Sequence, residues 1–441
     1  MHHHGGFHVF RRTLVVIAAV LLVGSLSSAP SQAADTWVPP GGAAFNNPVA
    51  GYTGRTALVR RVIAAVDHSP RGSVIRIAAY SFDRKDVADA LVRAHRRGVL
   101  VQMVLNDNWT STQTRRLRKI LGGNPSASRF VRICDGSCRG GAGNLHMKVY
   151  AFSRTGAATN VIMTGSANMT DRAVQLQWND MVTLRGQNGL FNTFVGVFNQ
   201  LKYDRPVSPQ WVYYEQPDMQ AQFYRTSARQ RTGTTTSRTP TPDEDPVMKR
   251  LRAVNCVAQP GFGLNGKTQI RVMMYGWNGD RGKYLADQVA RLKRQGCGIK
   301  VITSVAGGGV IKVLNEAGIP VKSADYKYLS DGTVDFYSHL KVMWIDGTMR
   351  KPVTTTTTPE PTLTDPSPAP TTTTTIQNVG TRMVWTGSEN WSEMSFRNDE
   401  LCLGLTNSTI VRKYKSEFDY LWTNYSHRVG LRPLNKPRYV G

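Results

Sequence analysis

The chain has 441 residues, with 55 Lys and Arg against 30 Asp and Glu, a formal charge of +25 at pH 7. That length is enough for two sizeable cores. No stretch approaches the roughly 20 apolar residues that a membrane-spanning helix needs. The charge favours polyanionic partners, whether phospholipid surfaces, nucleic acid or wall polymers, without choosing among them.

Arg11-Arg12 precede an apolar run from Leu14 to Val23 and small residues ending at Ser31-Gln32-Ala33. This is the charged, apolar, small-residue order of a secretory signal peptide. Export with cleavage near Ala33 is therefore expected, through either the general or the twin-arginine route. Loss of residues 1–33 removes two arginines and no acids, leaving 53 basic and 30 acidic residues, or +23.

An N-terminal segment (34–57) leads into a first half over 58–228. "SVIRIAAYSFD" (73–83) reads as a buried strand ending in polar residues. A helix follows with Val87, Leu91 and Ala94 on one face and Gly98 at its end, then a second strand, "VLVQMVL". Cys134 and Cys138 enclose the turn sequence Asp-Gly-Ser and suit a local disulfide in an exported chain. "HMKVYAFS" (146–153) and "TGSANMT" (164–170) form a strand and its return, and a closing helix near 188–203 carries Phe191, Val195 and Phe198.

Residues 229–246 are polar and Thr/Pro-rich and read as a linker. The same order then recurs over 247–427, before a tail at 428–441. "TQIRVMMYGWN" (268–278) matches the first strand, Leu285, Val289 and Leu292 match the helix, Gly296 ends it, and "GIKVITS" follows. "HLKVMWID" (339–346) and "TGSENWS" (386–392) repeat the strand and return, and a helix near 408–423 carries Val411, Tyr414 and Phe418. Cys256 and Cys297 are a second candidate disulfide, while Cys402, in "LCLGL", reads as a buried thiol. No cysteine has a metal-ligand partner at suitable spacing, so neither metal nor cofactor is expected.

Strand, helix, strand predicts parallel pairing. The fold class is α/β: two similar halves, each a mixed sheet flanked by helices, related by a pseudo-two-fold axis. His146 lies 19 residues before Gly165, but His339 lies 48 before Gly387. Removing the 29 residues 349–377, which include a Thr/Pro-rich tract, restores the match. The tract is an insertion at a hairpin turn, and its polarity predicts disorder.

Alternate strand residues share a face, so His146 points with Lys148 and His339 with Lys341. Asp346 has the opposite parity and lies about 23 Å along the strand from His339 at roughly 3.3 Å per residue. The first copy has Ser153 at that place. Each return strand brings Gly-Ser-x-Asn beside a histidine: Gly165, Ser166 and Asn168, or Gly387, Ser388 and Asn390. Ser and Asn offer hydrogen bonds to an oxyanion, and Asp180 and Glu400 could each fix the tautomer of its half's histidine. Two histidines and two lysines with amide and hydroxyl donors suit phosphoryl transfer, with one histidine attacking phosphorus and the other protonating the leaving alcohol.

These residues resemble the phospholipase D superfamily, of the secreted bacterial kind. Its H-x-K-x4-D with downstream G-S-x-N is complete at His339, Lys341, Asp346, Gly387, Ser388 and Asn390. The first copy departs only at Ser153, and the likeness spans residues 58–425. The resemblance implies a catalytic set of His146, Lys148, His339, Lys341 and Asp346, supported by Ser166, Asn168, Ser388, Asn390, Asp180 and Glu400. It implies a monomeric phosphoric diester hydrolase acting on phosphatidylcholine-like lipids at membrane surfaces, without metal, with His146 as nucleophile and His339 as acid and base. The rivals are a secreted nuclease of the same superfamily, favoured by the +23 charge, and an impaired polyanion-binding protein, favoured only by Ser153. Trp277 and Trp391 are candidates for the cleft or the core, Arg281 for a phosphate contact or an exposed helix start, and His68 and His95 for surface or structural positions.

Overall fold

The computed structural model describes residues 1–2, 35–140, 142–208, 210–224, 240–324, 327–328, 334–357 and 369–429. The expected signal peptide, most of the linker, the end of the C-terminal tail and the tip of the Thr/Pro insertion (358–368) lie outside the described residues.

From Asp35 onward the chain forms one compact unit around two sheets. The first sheet has seven strands, in the order Gly42–Phe45, Asp180–Leu184, Ala158–Gly165, Lys148–Thr155, Val74–Ala79, Leu100–Asn106 and Phe130–Cys134. The last three are parallel to one another, and the rest pair antiparallel. The second sheet repeats this order with Glu400–Leu405, Thr371–Gly387, Lys341–Thr357, Gln269–Trp277, Gly298–Ala306 and Val321–Ser323. The chain is thus a mixed α/β protein with two repeated halves.

Residue parity decides which core each strand feeds. Val149 and Ala151, with Val342 and Trp344, face a shared central core, which the closing helices Asn188–Leu201 and Ser408–Asn424 join through Phe194, Phe198, Tyr414 and Phe418. Tyr150 and Phe152 face a core of the first half alone, and Met343 and Ile345 face one of the second. Burying both faces of both sheets is how the two repeats become a single unit.

Three expectations need correction. The first half does not keep its chain to residue 228: the hairpin Val212–Gln216 and Met219–Tyr224 pairs with Glu400–Leu405 of the second sheet. It covers an edge that would otherwise present unpaired backbone groups. Gly42–Phe45 does the same for Asp180–Leu184 in the first sheet. The 349–377 insertion is not disordered at its flanks, because Lys341–Thr357 and Thr371–Gly387 stay paired out to Thr357 and Thr371. Threonine is β-branched and favours extended backbone, and Thr354 and Thr374 pair across the ribbon at 2.9 Å between hydroxyls. A ribbon that extends a hairpin already in register needs no core of its own. Finally, Asp245, within the expected linker, is buried, caps the helix Pro246–Arg252 and ion-pairs with Arg281.

Disulfides join Cys134 to Cys138 and Cys256 to Cys297, and Cys402 is a buried free thiol. Burial raises the Cys402 thiol to a pKa of about 11.

Candidate active site

The two H-x-K segments meet because each is tied to the main chain of the other half. The amides of His146 and Met147 donate to the Asp399 carbonyl at 3.0 and 2.9 Å, and that of His339 donates to the Trp178 carbonyl at 2.9 Å. A short parallel pairing of Tyr337 with Gln177 and Ser338 with Trp178 runs beside the second tie.

The ring contacts are crossed in the same way. His146 Nδ1 lies 3.0 Å from both carboxylate oxygens of Glu400, from the second half. His339 Nδ1 lies 2.9 Å from Oδ1 of Asn179, from the first half. The Ser388 hydroxyl and the Asn398 amide donate to the Glu400 carboxylate, and the Ser166 hydroxyl donates to Asn179 Oδ1.

Each histidine also meets a tyrosine from the neighbouring strand. Tyr80 stands edge-on to His146 with ring centroids 5.3 Å apart, and Tyr275 to His339 at 4.7 Å. The same rings lie against the ammonium groups of Lys148, 5.4 Å from the centroid, and Lys341, 4.5 Å. Lys148 and Lys341 each donate to the carbonyl of their own histidine.

Both lysines are buried, and desolvation dominates their titration. It takes Lys148 down to about 7 against the pull of Glu400. Lys341 falls well below the ordinary lysine value, through burial and then the charge of Lys148. Burial lowers His146, with Glu400 opposing, and it lowers His339 further, with Lys341, Lys148 and His146 all adding to the effect. For Glu400 burial acts upward, but His146 and Lys148 outweigh it and hold the carboxyl below its usual value. Burial thus disfavours the charged forms of both lysines and both histidines in the free site. An anion entering it would meet two lysines whose protonation it favours.

A cavity of about 190 Å³ opens onto both histidines, lined also by Tyr80, Tyr275, Asn168 and Asn390. Trp109, Tyr337, Arg172 and the half-exposed Met394 are also among its lining residues. Among the described residues no group of three or more His, Cys, Asp or Glu is gathered as a metal site would require.

The family described as "Cardiolipin synthase, PLD-like domain" matches residues 65–202 and 264–422, one segment for each half. The chain belongs to this phospholipase D-like family. No curated protein matches it. Among solved structures, a phosphatidylserine synthase from Haemophilus influenzae Rd KW20 is similar with a TM-score of 0.51 at 10% identity, covering 85% of this chain and 86% of that one. A polyphosphate kinase from Porphyromonas gingivalis is similar with a TM-score of 0.50 at 12% identity, covering 87% of this chain. This chain spans only half the length of that kinase. The phospholipase D family member Nuc from Salmonella typhimurium overlaps 35% of this chain and 90% of its own, at 22% identity and a TM-score of 0.26.

Within this phospholipase D-like site several expectations change. Asp180 does not touch a histidine: its carboxylate accepts from the Ser166 amide at 3.0 Å and from the hydroxyls of Thr386 and Tyr414. The return segment is one residue longer in the first copy. The Ser166 hydroxyl accepts from the Asp180 amide where that of Ser388 accepts from Leu401, so Asn179 is the counterpart of Glu400. Ser166 and Ser388 are buried and hold those two residues, so they are not turned toward an oxyanion as expected. Asn168 and Asn390 do reach the cavity. The glycines before the serines allow the close approach this needs: a Cβ at Gly165 would stand 2.4 Å from the Asp180 carbonyl oxygen, and one at Gly387, where φ is +146°, 2.1 Å from that of Leu401.

Asp346 stands away from the chemistry, accepting from the Gly263 amide at 2.9 Å and pairing with Arg382 at 3.2 Å. Ser153 accepts from the Val74 amide at 2.8 Å in the first half, so it too serves local structure. Arg281 is neither exposed nor in the cavity; it is buried between Asp245 and Glu389. Trp277 and Trp391 are core, edge to face at 4.5 Å. His68 stacks on Trp37 and pairs with Asp35 near the surface, and His95 lies in the last turn of the helix Lys85–Arg96. The sequence reading missed Asn179, Tyr80 and Tyr275. The tyrosines had a signal, since they stand at the same place in the two repeated segments "SVIRIAAYSFD" and "TQIRVMMYGWN".

Proposed function

We propose that the protein is a secreted phosphodiesterase of the phospholipase D type that hydrolyses phospholipid head groups through a phosphohistidine. The observation that carries this reading is the crossed pairing of His146 with Glu400 and of His339 with Asn179 around one cavity, with a buried lysine bonded to the main chain of each histidine. Nε2 of His146 attacks phosphorus, forming a P–N bond as the P–O bond to the leaving alcohol breaks, and His339 delivers a proton to that oxygen. Water then gives its proton to His339 and attacks phosphorus, and the P–N bond breaks. Lys148, Lys341, Asn168 and Asn390 stabilise the phosphoryl oxygens. The aromatic wall and the half-exposed Met394 suit a lipid substrate. A second reading, a nuclease, rests on the +23 charge of the chain after residue 33.

The test is to incubate the protein with phosphatidylcholine vesicles and with duplex DNA, both in excess EDTA. The proposal expects phosphatidate and choline, with DNA left intact. Cleavage of DNA alone supports the second reading. Activity lost to EDTA and restored by a divalent cation contradicts the mechanism.

A further inference from the structure

His146 and His339 occupy equivalent places but have unlike partners, and the hydrogen bonds around Asn179 fix what its side chain can offer. Nδ2 of Asn179 faces the Ala173 carbonyl at 3.4 Å and Oε1 of Gln177 at 3.3 Å, both acceptors, so the amide is oriented with Oδ1 toward His339. The Ser166 hydroxyl already accepts from the Asp180 amide, so its own proton goes to Asn179 Oδ1. Nδ1 of His339 must then be a donor, which leaves Nε2 as the basic nitrogen of the neutral ring. Asn46, from the N-terminal segment, holds the backbone around it: its Oδ1 accepts from the main-chain N–H of Asn179 at 2.8 Å, and its Nδ2 donates to the main-chain carbonyls of Gln177 and Ala173 at 2.9 and 3.1 Å.

An amide oxygen holds the tautomer as a carboxylate would, but it carries no charge to favour the protonated ring. The charged groups facing His339 oppose protonation, while a hydrogen bond to the Ser166 main chain acts in the other direction. Lys341 comes from its own strand, and Lys148 and His146 come from the first H-x-K segment. Tyr275, from the adjacent strand, presents an uncharged ring, and Arg172 is a further cation on the cavity wall. Of the two nearby carboxylates, Glu400 is engaged by His146, and Asp180 by Ser166, Thr386 and Tyr414. The cavity, which His339 lines, is open to a negative charge brought by a ligand.

We infer that Asn179 is a positioning residue that fixes the tautomer of His339 but leaves its protonation dependent on the phosphate charge of the bound substrate. The proposed phosphodiesterase would then arm its acid only when an anionic diester occupies the site. This rests on the proposed function, in which His339 gives its proton to the leaving oxygen, but it has a readout free of turnover.

Protein labelled with ¹⁵N-histidine is titrated by NMR, alone and with dimethyl phosphate as a diester probe. Wild-type His339 should show the Nδ1–H tautomer, and the probe should raise its midpoint by about one pH unit or more, the size of shift an adjacent opposite charge gives. Asn179→Asp should raise the midpoint to a similar extent without the probe. In turnover, the alkaline limb of wild-type kcat should lie above that of kcat/KM, and Asn179→Asp should move both limbs up and narrow the gap. Asn179→Leu should lose about 10²-fold in kcat, and Asn179→Asp should not. Unchanged midpoints and limbs in Asn179→Asp would mean that Asn179 is structural and overturn the inference. Midpoint shifts in a protein that cleaves no diester would sink the proposed function and leave the inference standing.

Discussion

The two H-x-K segments differ less in themselves than in what the opposite half supplies to each. Main-chain ties, a lysine bonded to the histidine carbonyl and an edge-on tyrosine recur around both. Behind His146 stands a carboxylate, and behind His339 a neutral amide. Neither half contains a complete site, since each histidine is oriented by residues from the other. Equivalence in the repeat is therefore a matter of backbone, while the electrostatics belong to the pair. A nucleophile benefits from a fixed anion behind it, and an acid that must also act as a base benefits from a partner that does not commit it to one charge.

The largest expected effect asks whether both segments are needed. His146→Ala and His339→Ala should each lower turnover by about 10³-fold or more, and the double variant little further, because residues that act as one unit are not additive. Wild-type turnover in His146→Ala would reduce the first segment to a structural relic.

A second variant separates chemistry from stability. Lys148→Met should cost about 10²–10³-fold in turnover, as loss of an oxyanion donor does. It should also stabilise the fold at pH 6, on the order of 1–3 kcal/mol, as apolar replacement of buried charges often does. The sign follows from Lys148 titrating near 7 in the fold, below the ordinary lysine value of 10.5. The charged form is disfavoured in the native state, so the penalty is full below about 7 and fades as pH rises toward 10.5. Urea unfolding at pH 6 and at pH 9.5 should show the variant's advantage shrinking. An advantage that grows with pH would contradict this.

The smallest effect concerns the one motif position at which the copies differ. Ser153→Asp should change turnover by less than tenfold, about 1.4 kcal/mol in barrier, because Ser153 supports the Val74 amide and not a histidine. A larger gain would give this position a catalytic role that neither Ser153 nor Asp346 shows.

Much of this was legible in the chain, for identifiable reasons. The period of two put His146 with Lys148 and His339 with Lys341, and the repeated strand–helix–strand order gave the α/β class. What could not be read was pairing across halves, since nothing local ties Glu400 to a histidine 254 residues away. An acid is the obvious partner for a histidine, so side-chain type points to Asp180, whereas the first copy's return segment is one residue longer and puts Asn179 in the place of Glu400. The Thr-rich flanks misled in another way. Their polarity argued against a core, but a ribbon built on an existing hairpin asks only for extended backbone and cross-strand pairs.

The central claim is that a covalent phosphoryl group forms on the histidine backed by Glu400. The direct measurement is rapid, acid-free quenching of the protein with phosphorus-labelled substrate, followed by peptide mapping. Label on the peptide containing His146, absent from His146→Ala, is the expected result. Label on the His339 peptide, or turnover without any labelled histidine, would contradict the account.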